Sequence, residues 1–477
     1  MEYAPVQLLI DMRPVKFCYF VLVSLCLIIL TLAIVATSTG PHVWDDSYMF
    51  VRYADNLLAH GRLSWNPNGA PTYGLTSILY LVIVVPVRLA TPYLAALTAW
   101  LASVLAGLVF ISLLLLLVYR TVTRDRQVGA WLVLFVLLAL ALAIPQFATH
   151  LASGMDTTFA LAFITAYFLI DKWYESCHST TAAIAMGVWG GLALLARPDL
   201  LLYTTLVPLS IFVFAPTARD RRQALGILGI TAVLVGLEML WTSTYFGSPV
   251  PLPFYAKAMR TYQGVIYDRY AGVAFQELGN LIGSYWFLLI LIGAEITLYF
   301  KDWYKRTSAG DKGILLASAL FITFYAFFVL QIMPFSARFY YPVLPALLLL
   351  SSQSLVRLGR KLSAVVQRSS RTTMRGIGAI GVVILLVLLG LATRPVLRVL
   401  RDTAQQHLLG HFAFFEDYGG EWPYEWAGLE TLSKLPDDMV IATTEIGVLS
   451  AANPRKTVVD MAGLNETGFA HDGFSAN

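Results

Sequence analysis

The sequence has 477 residues, 58 % of them hydrophobic and 13 % charged, with a mean hydropathy of +0.68, against about 25 % charge in an ordinary soluble domain. That balance excludes a soluble multidomain enzyme and defines an integral membrane protein, in which about 20 apolar residues make one span. The net charge of +4, from 33 Lys and Arg against 29 Asp and Glu, is too small for nucleic-acid binding, so no nucleic-acid partner is expected.

Apolar runs predict about eleven transmembrane helices, near residues 17–37, 94–119, 128–147, 157–173, 180–196, 199–216, 223–245, 278–300, 313–333, 339–356 and 376–393. The run at 76–89 (TSILYLVIVVPVRL) is short, is broken by Pro86 and carries Arg88. It reads as a re-entrant or juxtamembrane helix that does not cross. With the N-terminus inside, the cytoplasmic loops collect Arg120, Arg124 and Arg126, then Lys172, Arg219, Arg221 and Arg222, Lys301 to Lys312, and Arg357 to Arg375. The outer loops after residue 93 hold only Arg197, Lys257, Arg260, Arg269 and Arg338. Letting 76–89 cross would invert this positive-inside bias. A multi-pass protein of the cytoplasmic membrane is expected.

The first span follows Arg13 and Lys16 but lacks an A-x-A-like cleavage site, so it reads as an uncleaved anchor. Cys18, Cys26 and Cys177 all fall in that span or inside, which leaves the exterior without disulfide staples or a cysteine metal site. Two segments lie outside the lipid: the first outer loop, 38–93, and a tail from about 394. The expected division is a transmembrane domain over 1–393 and an exterior α/β segment over 394–477. In the tail, EWPYEWAGLETLSKL predicts a helix, MVIATT a strand, IGVLSAA a short helix and KTVVDMAGL a second strand. Two strands are few for a free-standing domain, so the tail is expected to pack on the membrane part or on the outer loop.

The strongest chemical signal is WDDSYMFVRYADNLLAHG, directly after the first span. Asp45 or Asp46 stands at a helix N-cap position, Phe50, Tyr53, Ala54 and Leu57 keep helical spacing, and Gly61 ends the helix. An amphipathic helix at the outer membrane face is expected. A cap is the simplest reading of one such aspartate, but two carboxylates beside Trp44 exceed what a cap needs. Adjacent helical residues point about 100° apart, so one carboxylate should face a cavity as general base while the other caps or orients. The base is assigned to Asp45, with its pKa raised by burial beside Trp44 and by the neighbouring carboxylate.

Further charges mark the outer ends of spans: Asp156 in SGMDTT, Arg197 and Asp199 in LLARPDLLL, Lys257 in PLPFYAKAM and Arg338 in SARFYYP. Ionisable groups in such settings pair with one another or line a wet cavity. Arg197 and Asp199 are close enough to pair across Pro198, and Asp156 to cap the following span. Lys257 and Arg338 lack a local acidic partner and suit an anion such as a lipid phosphate, with Arg197 a third candidate. Trp44, His150, Asp156, Asp199 and Tyr255 are candidate substrate contacts, His150 being read as a loop residue. Glu238, inside a span, is read as a packing group or a proton relay. P-loop, GxSxG, HExxH and Rossmann fingerprints do not occur, which argues against nucleotide hydrolysis and zinc chemistry.

The acidic pair Asp45–Asp46, the half-length helix after it, SGMDT, ARPD, YFGSPVPLPFYAKA and ARFYYPVLP together resemble the GT-C superfamily of polytopic glycosyltransferases, over roughly residues 38–470. Within it the chain most resembles the branch of the terminal arabinofuranosyltransferase and of relatives named flagellar motor control proteins, the latter also in TEIGVLSAANPRKTVVDMAGLNE. The resemblance implies an all-α GT-C fold and a cell-envelope enzyme. Its substrates would be a polyprenyl-phosphate sugar, arabinofuranose among the candidates, and a glycan, lipid or protein acceptor at the outer face.

The residues suit that chemistry independently: a carboxylate takes the acceptor proton during an inverting single displacement, and Lys257 and Arg338 stabilise the departing phosphate. Two carboxylates beside a phosphate are also able to hold one divalent cation. The alternatives are a non-catalytic GT-C-like assembly factor and a lipid-linked sugar transporter. The second would need charges through the membrane depth and internal repeats.

Overall fold

The computed structural model describes residues 43–92, 94–122, 137–258, 272–331, 335–368, 432, 434–444 and 446–472. The expected spans at 17–37 and 376–393, and nearly all of the helix expected at 421–435, lie outside these. The helix α1 (Ser47–His60) ends at Gly61, whose φ of 65° is left-handed and whose N–H reaches Leu57 O, as a glycine C-cap does. A 3-10 turn at Ile78–Tyr80 leads into α2 (Leu81–Ala90), which is half a span in length. After it comes the long apolar α3 (Ala95–Val122).

The helical residues from 137 stop before Ile144, whose backbone is extended, and Pro145 opens α4 (Pro145–Ala152). Proline removes the N–H that a continuing helix would use but suits a first turn. The span expected to reach residue 147 therefore breaks earlier, and His150 is helical rather than in a loop. At its other end α4 meets α5 (Thr157–Cys177) at 107°. Gly154, at that break, has φ 74°, and a Cβ there would stand 2.8 Å from Ser47 Oγ. The bend thus brings the α5 start against the α1 start.

Next, α6 (Thr180–Gly191) and α7 (Leu201–Phe214) are separated by short turns around Arg197, whose extended backbone is what a residue preceding proline favours. There follow α8 (Ala218–Phe246), the short α9 (Leu252–Ala258), α10 (Val273–Arg306), α11 (Ala309–Phe327) and α12 (Leu344–Arg368). Among the described residues, five helices are long and apolar enough to cross a membrane, six if the bent α4–α5 pair counts as one; three more are shorter and apolar. The protein is a predominantly helical, multi-pass membrane protein.

In the tail, β1 (Val440–Thr443), α13 (Gly447–Ala452), β2 (Thr457–Asp460) and α14 (Thr467–Asp472) follow one another, with β1 and β2 paired in parallel. A hydrophobic core distinct from that of the main helical bundle joins Tyr48, Tyr53, Trp65 and Tyr80 of the first loop to Ile446, Val448, Leu449 and Val458 of the tail. Every residue from Ser47 to Ala54 is buried. The helix α1 is packed against α2 and α3 and also against the tail.

Arg52, 2 % exposed, fastens this second core. Its guanidinium donates to the carbonyls of Trp65 (2.6 Å), Ser450 (2.6 Å), Asn453 (3.3 Å) and Lys456 (2.9 Å). The Trp65 indole N–H donates to Val458 O at 2.8 Å.

Candidate functional site

A cavity of about 470 Å³ opens where the start of α1, the α4–α5 break, the Arg197 turn, α9 and the segment before α12 converge. Its charged lining is Asp46, Asp156, Arg197, Asp199, Lys257 and Arg338, and its apolar flank includes Leu201, Leu202, Leu206, Phe324, Val329 and Phe339. Six of the ten residues singled out in the sequence thus share one cavity, although they come from five separate stretches of chain.

Asp46 sits in the turn before α1 but makes no side-chain cap. Its Oδ2 accepts a 2.9 Å hydrogen bond from Arg338 Nη2. Burial would raise this carboxyl, but the charges of Arg338 and Lys257 and the Arg338 hydrogen bond outweigh it, so its pKa is held below the ordinary value. The expected rise for the cavity-facing acid is therefore reversed by the two cations.

Arg338 is aimed by a strained turn. Ser336 and Ala337 have φ of 56° and 60°, a region that costs a non-glycine residue about 1–3 kcal/mol. Glu277 holds the turn by accepting the Ala337 N–H at 2.7 Å. Nothing in the sequence pattern singled out Glu277, because its partner lies 60 positions away.

The carboxylate of Asp45 turns elsewhere: Oδ2 accepts from Gly447 N–H at 2.9 Å and Oδ1 from Val448 N–H at 2.7 Å. Asp45, expected to face the cavity, caps the tail helix α13 instead, and neither aspartate caps α1. The two carboxylates do not converge on one point, and the described residues hold no group of three or more metal-ligating side chains.

The Lys257 ammonium lies 5.7 Å from the Phe339 ring centroid and has no salt-bridge partner among the described residues. Burial lowers its pKa to about 8, against the attraction of Asp46. Arg197 is committed to Asp199, through Nε to Oδ1 at 3.1 Å and Nη2 to Oδ2 at 2.6 Å, and the Tyr325 hydroxyl donates to the same carboxylate at 2.7 Å. Of the two readings of this pair, the geometry shows the local one, with both residues still lining the cavity. Asp156 is 4 % exposed and makes no side-chain cap, and its Oδ2 has no hydrogen-bond partner among the described residues.

Three expected substrate contacts do not line the cavity. The Trp44 ring packs against His150 and Phe335, with centroids 5.7 and 5.6 Å away. His150, which α4 turns inward, is fully buried with Nε2 3.0 Å from Ser336 O; both residues back the turn that aims Arg338. Tyr255 packs against His471 with ring centroids 4.3 Å apart, because residues two apart on a helix face different ways and its neighbour Lys257 takes the cavity side. Tyr325 was not anticipated, since a tyrosine in an apolar span carries no signal of its own.

No family model matches the chain, and no curated protein matches it by sequence. Among solved structures, it is similar to the crystal structure of ArnT from Cupriavidus metallidurans bound to undecaprenyl phosphate. The TM-score is 0.52 at 16 % identity, over 96 % of this chain and 88 % of that one. At this identity the likeness shows a shared fold and nothing finer.

Proposed function

We propose that the protein is an inverting glycosyltransferase that moves a sugar from a polyprenyl phosphate to an exterior glycan, lipid or protein acceptor. The observation that carries this reading is the cavity itself, in which Asp46 faces Arg338 and Lys257 beside an apolar flank. Arg338 and Lys257 bind the lipid phosphate, one as a planar fork and one as a point charge, while the polyprenyl chain lies against Leu201, Leu202, Leu206 and Phe324. The fold likeness to an undecaprenyl-phosphate-bound protein supports that choice of ligand.

The acceptor hydroxyl oxygen forms its bond to the anomeric carbon as Asp46 takes the proton. The carbon–oxygen bond to phosphate breaks with its electrons, and the polyprenyl phosphate departs toward Arg338 and Lys257. Paired with Arg338, Asp46 is a weak base. A phosphate that shares the guanidinium loosens that pair and returns basicity to Asp46, so donor binding precedes acceptor activation.

With about eleven spans and the N-terminus inside, this cavity opens at the outer face of the cytoplasmic membrane. Arabinofuranose is the sugar to try first, on the strength of the sequence resemblance. The direct test is purified protein with a panel of polyprenyl-phosphate sugars, alongside Asp46→Asn. Transfer by the natural protein, cut by at least the 10²–10⁴-fold typical of a lost general base, is expected. No turnover of any donor would reject the enzyme, and full complementation in cells by Asp46→Asn would select the assembly-factor reading.

A further inference from the structure

The tail reaches the site from two directions. Through Asp45, both carboxylate oxygens hold the first N–H groups of α13, at 2.9 and 2.7 Å, and Asp45 is joined by one peptide bond to Asp46. Gly447 is required there, because a Cβ at that position would collide with the Asp45 carbonyl. Through α14, the His471 ring packs at a tilt against Tyr255, two residues from Lys257 on the same short helix. Between these contacts the tail forms part of the cavity wall with Leu464, and Asn465 accepts from the Tyr53 hydroxyl at 2.9 Å.

We infer that β1, α13, β2 and α14 of the tail are a brace of the active site, and that Asp45 is a positioning residue through which this brace fixes the direction of Asp46. The inference rests on the transferase reading proposed above. A lone aspartate at Asp46's place would be free to swing with its turn. With Asp45 anchored to two backbone donors of a buried helix, the turn has one orientation, and that orientation points Oδ2 of Asp46 at Arg338. Holding a reacting group within a fraction of an ångström matters, since a displacement of about 1 Å is able to cost 10²-fold in rate.

The test is a double-mutant cycle on the full chain in lipid nanodiscs. Asp45→Ala is expected to lower kcat by roughly ten- to a hundredfold, to change the affinity for undecaprenyl phosphate by less than about twofold, and to add nothing further in an Asp46→Asn background. Residues acting through one another are non-additive in this way, whereas independent ones multiply. Gly447→Ala, which keeps both carboxylates and displaces α13, is the second variant and is expected to reproduce the kcat loss. A readout independent of turnover is carbodiimide labelling of Asp46, followed by peptide mass spectrometry. A carboxylate held against Arg338 resists labelling, and both variants are expected to increase it several-fold.

Unchanged kcat and unchanged labelling in Asp45→Ala would overturn the brace while leaving the enzyme reading intact. So would a loss that multiplies fully with Asp46→Asn. Failure of the natural protein to transfer any sugar would reject the enzyme reading alone, and the labelling would still decide whether Asp45 orients Asp46.

Discussion

Arg338 donates a 2.9 Å hydrogen bond to Asp46 across 292 positions of sequence, so the proposed base and the proposed phosphate ligand are partners before any substrate arrives. Replacing Arg338 by Ala removes a charged hydrogen bond from the lipid phosphate, worth about 1.5–3 kcal/mol or roughly ten- to a hundredfold in affinity. Titration of undecaprenyl phosphate into the nanodisc-embedded protein is expected to show that loss. Arg338→Lys should recover only part of it, because an ammonium does not reproduce the planar fork. An arginine that merely snorkels to headgroups would leave the affinity unchanged.

Arg52 carries the docking of the tail. Arg52→Met removes one guanidinium that ties the buried carbonyls of Trp65, Ser450, Asn453 and Lys456 together; the first three keep a second donor in Asn56 Nδ2 and the N–H groups of Asn453 and Lys456, so the expected cost is about 1–3 kcal/mol, that of one buried carbonyl losing its donor. The melting temperature is expected to fall, and limited proteolysis to cut the tail before the helical bundle. Equal protection of the tail in both proteins would show that apolar contacts alone hold it.

What was legible in the sequence is what is decided locally. Gly61 announces the end of α1 because a left-handed residue must be accommodated there, and the alternation of MVIATT, IGVLSAA and KTVVDM shows the β–α–β order of the tail directly. The charged residues at the ends of apolar runs identified six cavity residues for one physical reason, the expense of an ionisable group in such surroundings. The division of labour between Asp45 and Asp46 was not legible, because the partner that claims Asp45 is 402 residues away. Nor was the sign of the Asp46 shift, which depends on two cations delivered by α9 and by the turn before α12. His150 was misplaced by a single proline: Pro145 starts a new helix where the apolar run alone suggests the end of a span.

Lys172 shows the same limit at another place in the bundle. It counts in the sequence as a positive charge of an inner loop, yet it lies within α5, with Nζ 3.0, 2.9 and 2.8 Å from carboxylate oxygens of Asp171, Glu175 and Asp311. Its side chain is 8 % exposed and that of Asp171 is fully buried. Lys172→Met would strand these acids without a counter-charge, a change that costs about 3–5 kcal/mol when a buried pair is broken. Thermal unfolding is expected to register this as one of the larger single-site losses. Adding Asp311→Asn should restore part of the stability, since one fewer charge is then left unpaired. Additive losses in the double variant would mean that the cluster is not a unit.

The pH dependence of donor binding tests Lys257. Burial lowers its pKa to about 8, so Lys257 is cationic below pH 8 and loses that charge as the pH rises through 8. A bound phosphate favours the protonated form and draws a proton in with it. Affinity for undecaprenyl phosphate is therefore expected to be greatest below pH 8 and to fall above it, with a slope approaching tenfold per pH unit for one linked proton. Ionisation of the phosphate acts in the opposite direction but is complete well below this window, since its second pKa is near 6. Lys257→Arg keeps its charge throughout, because an arginine does not deprotonate in this range, and its binding should be flat between pH 7.5 and about 9.5. If the natural protein binds equally well across the window, or if the arginine variant shows the same decline, Lys257 is not the group that meets the phosphate.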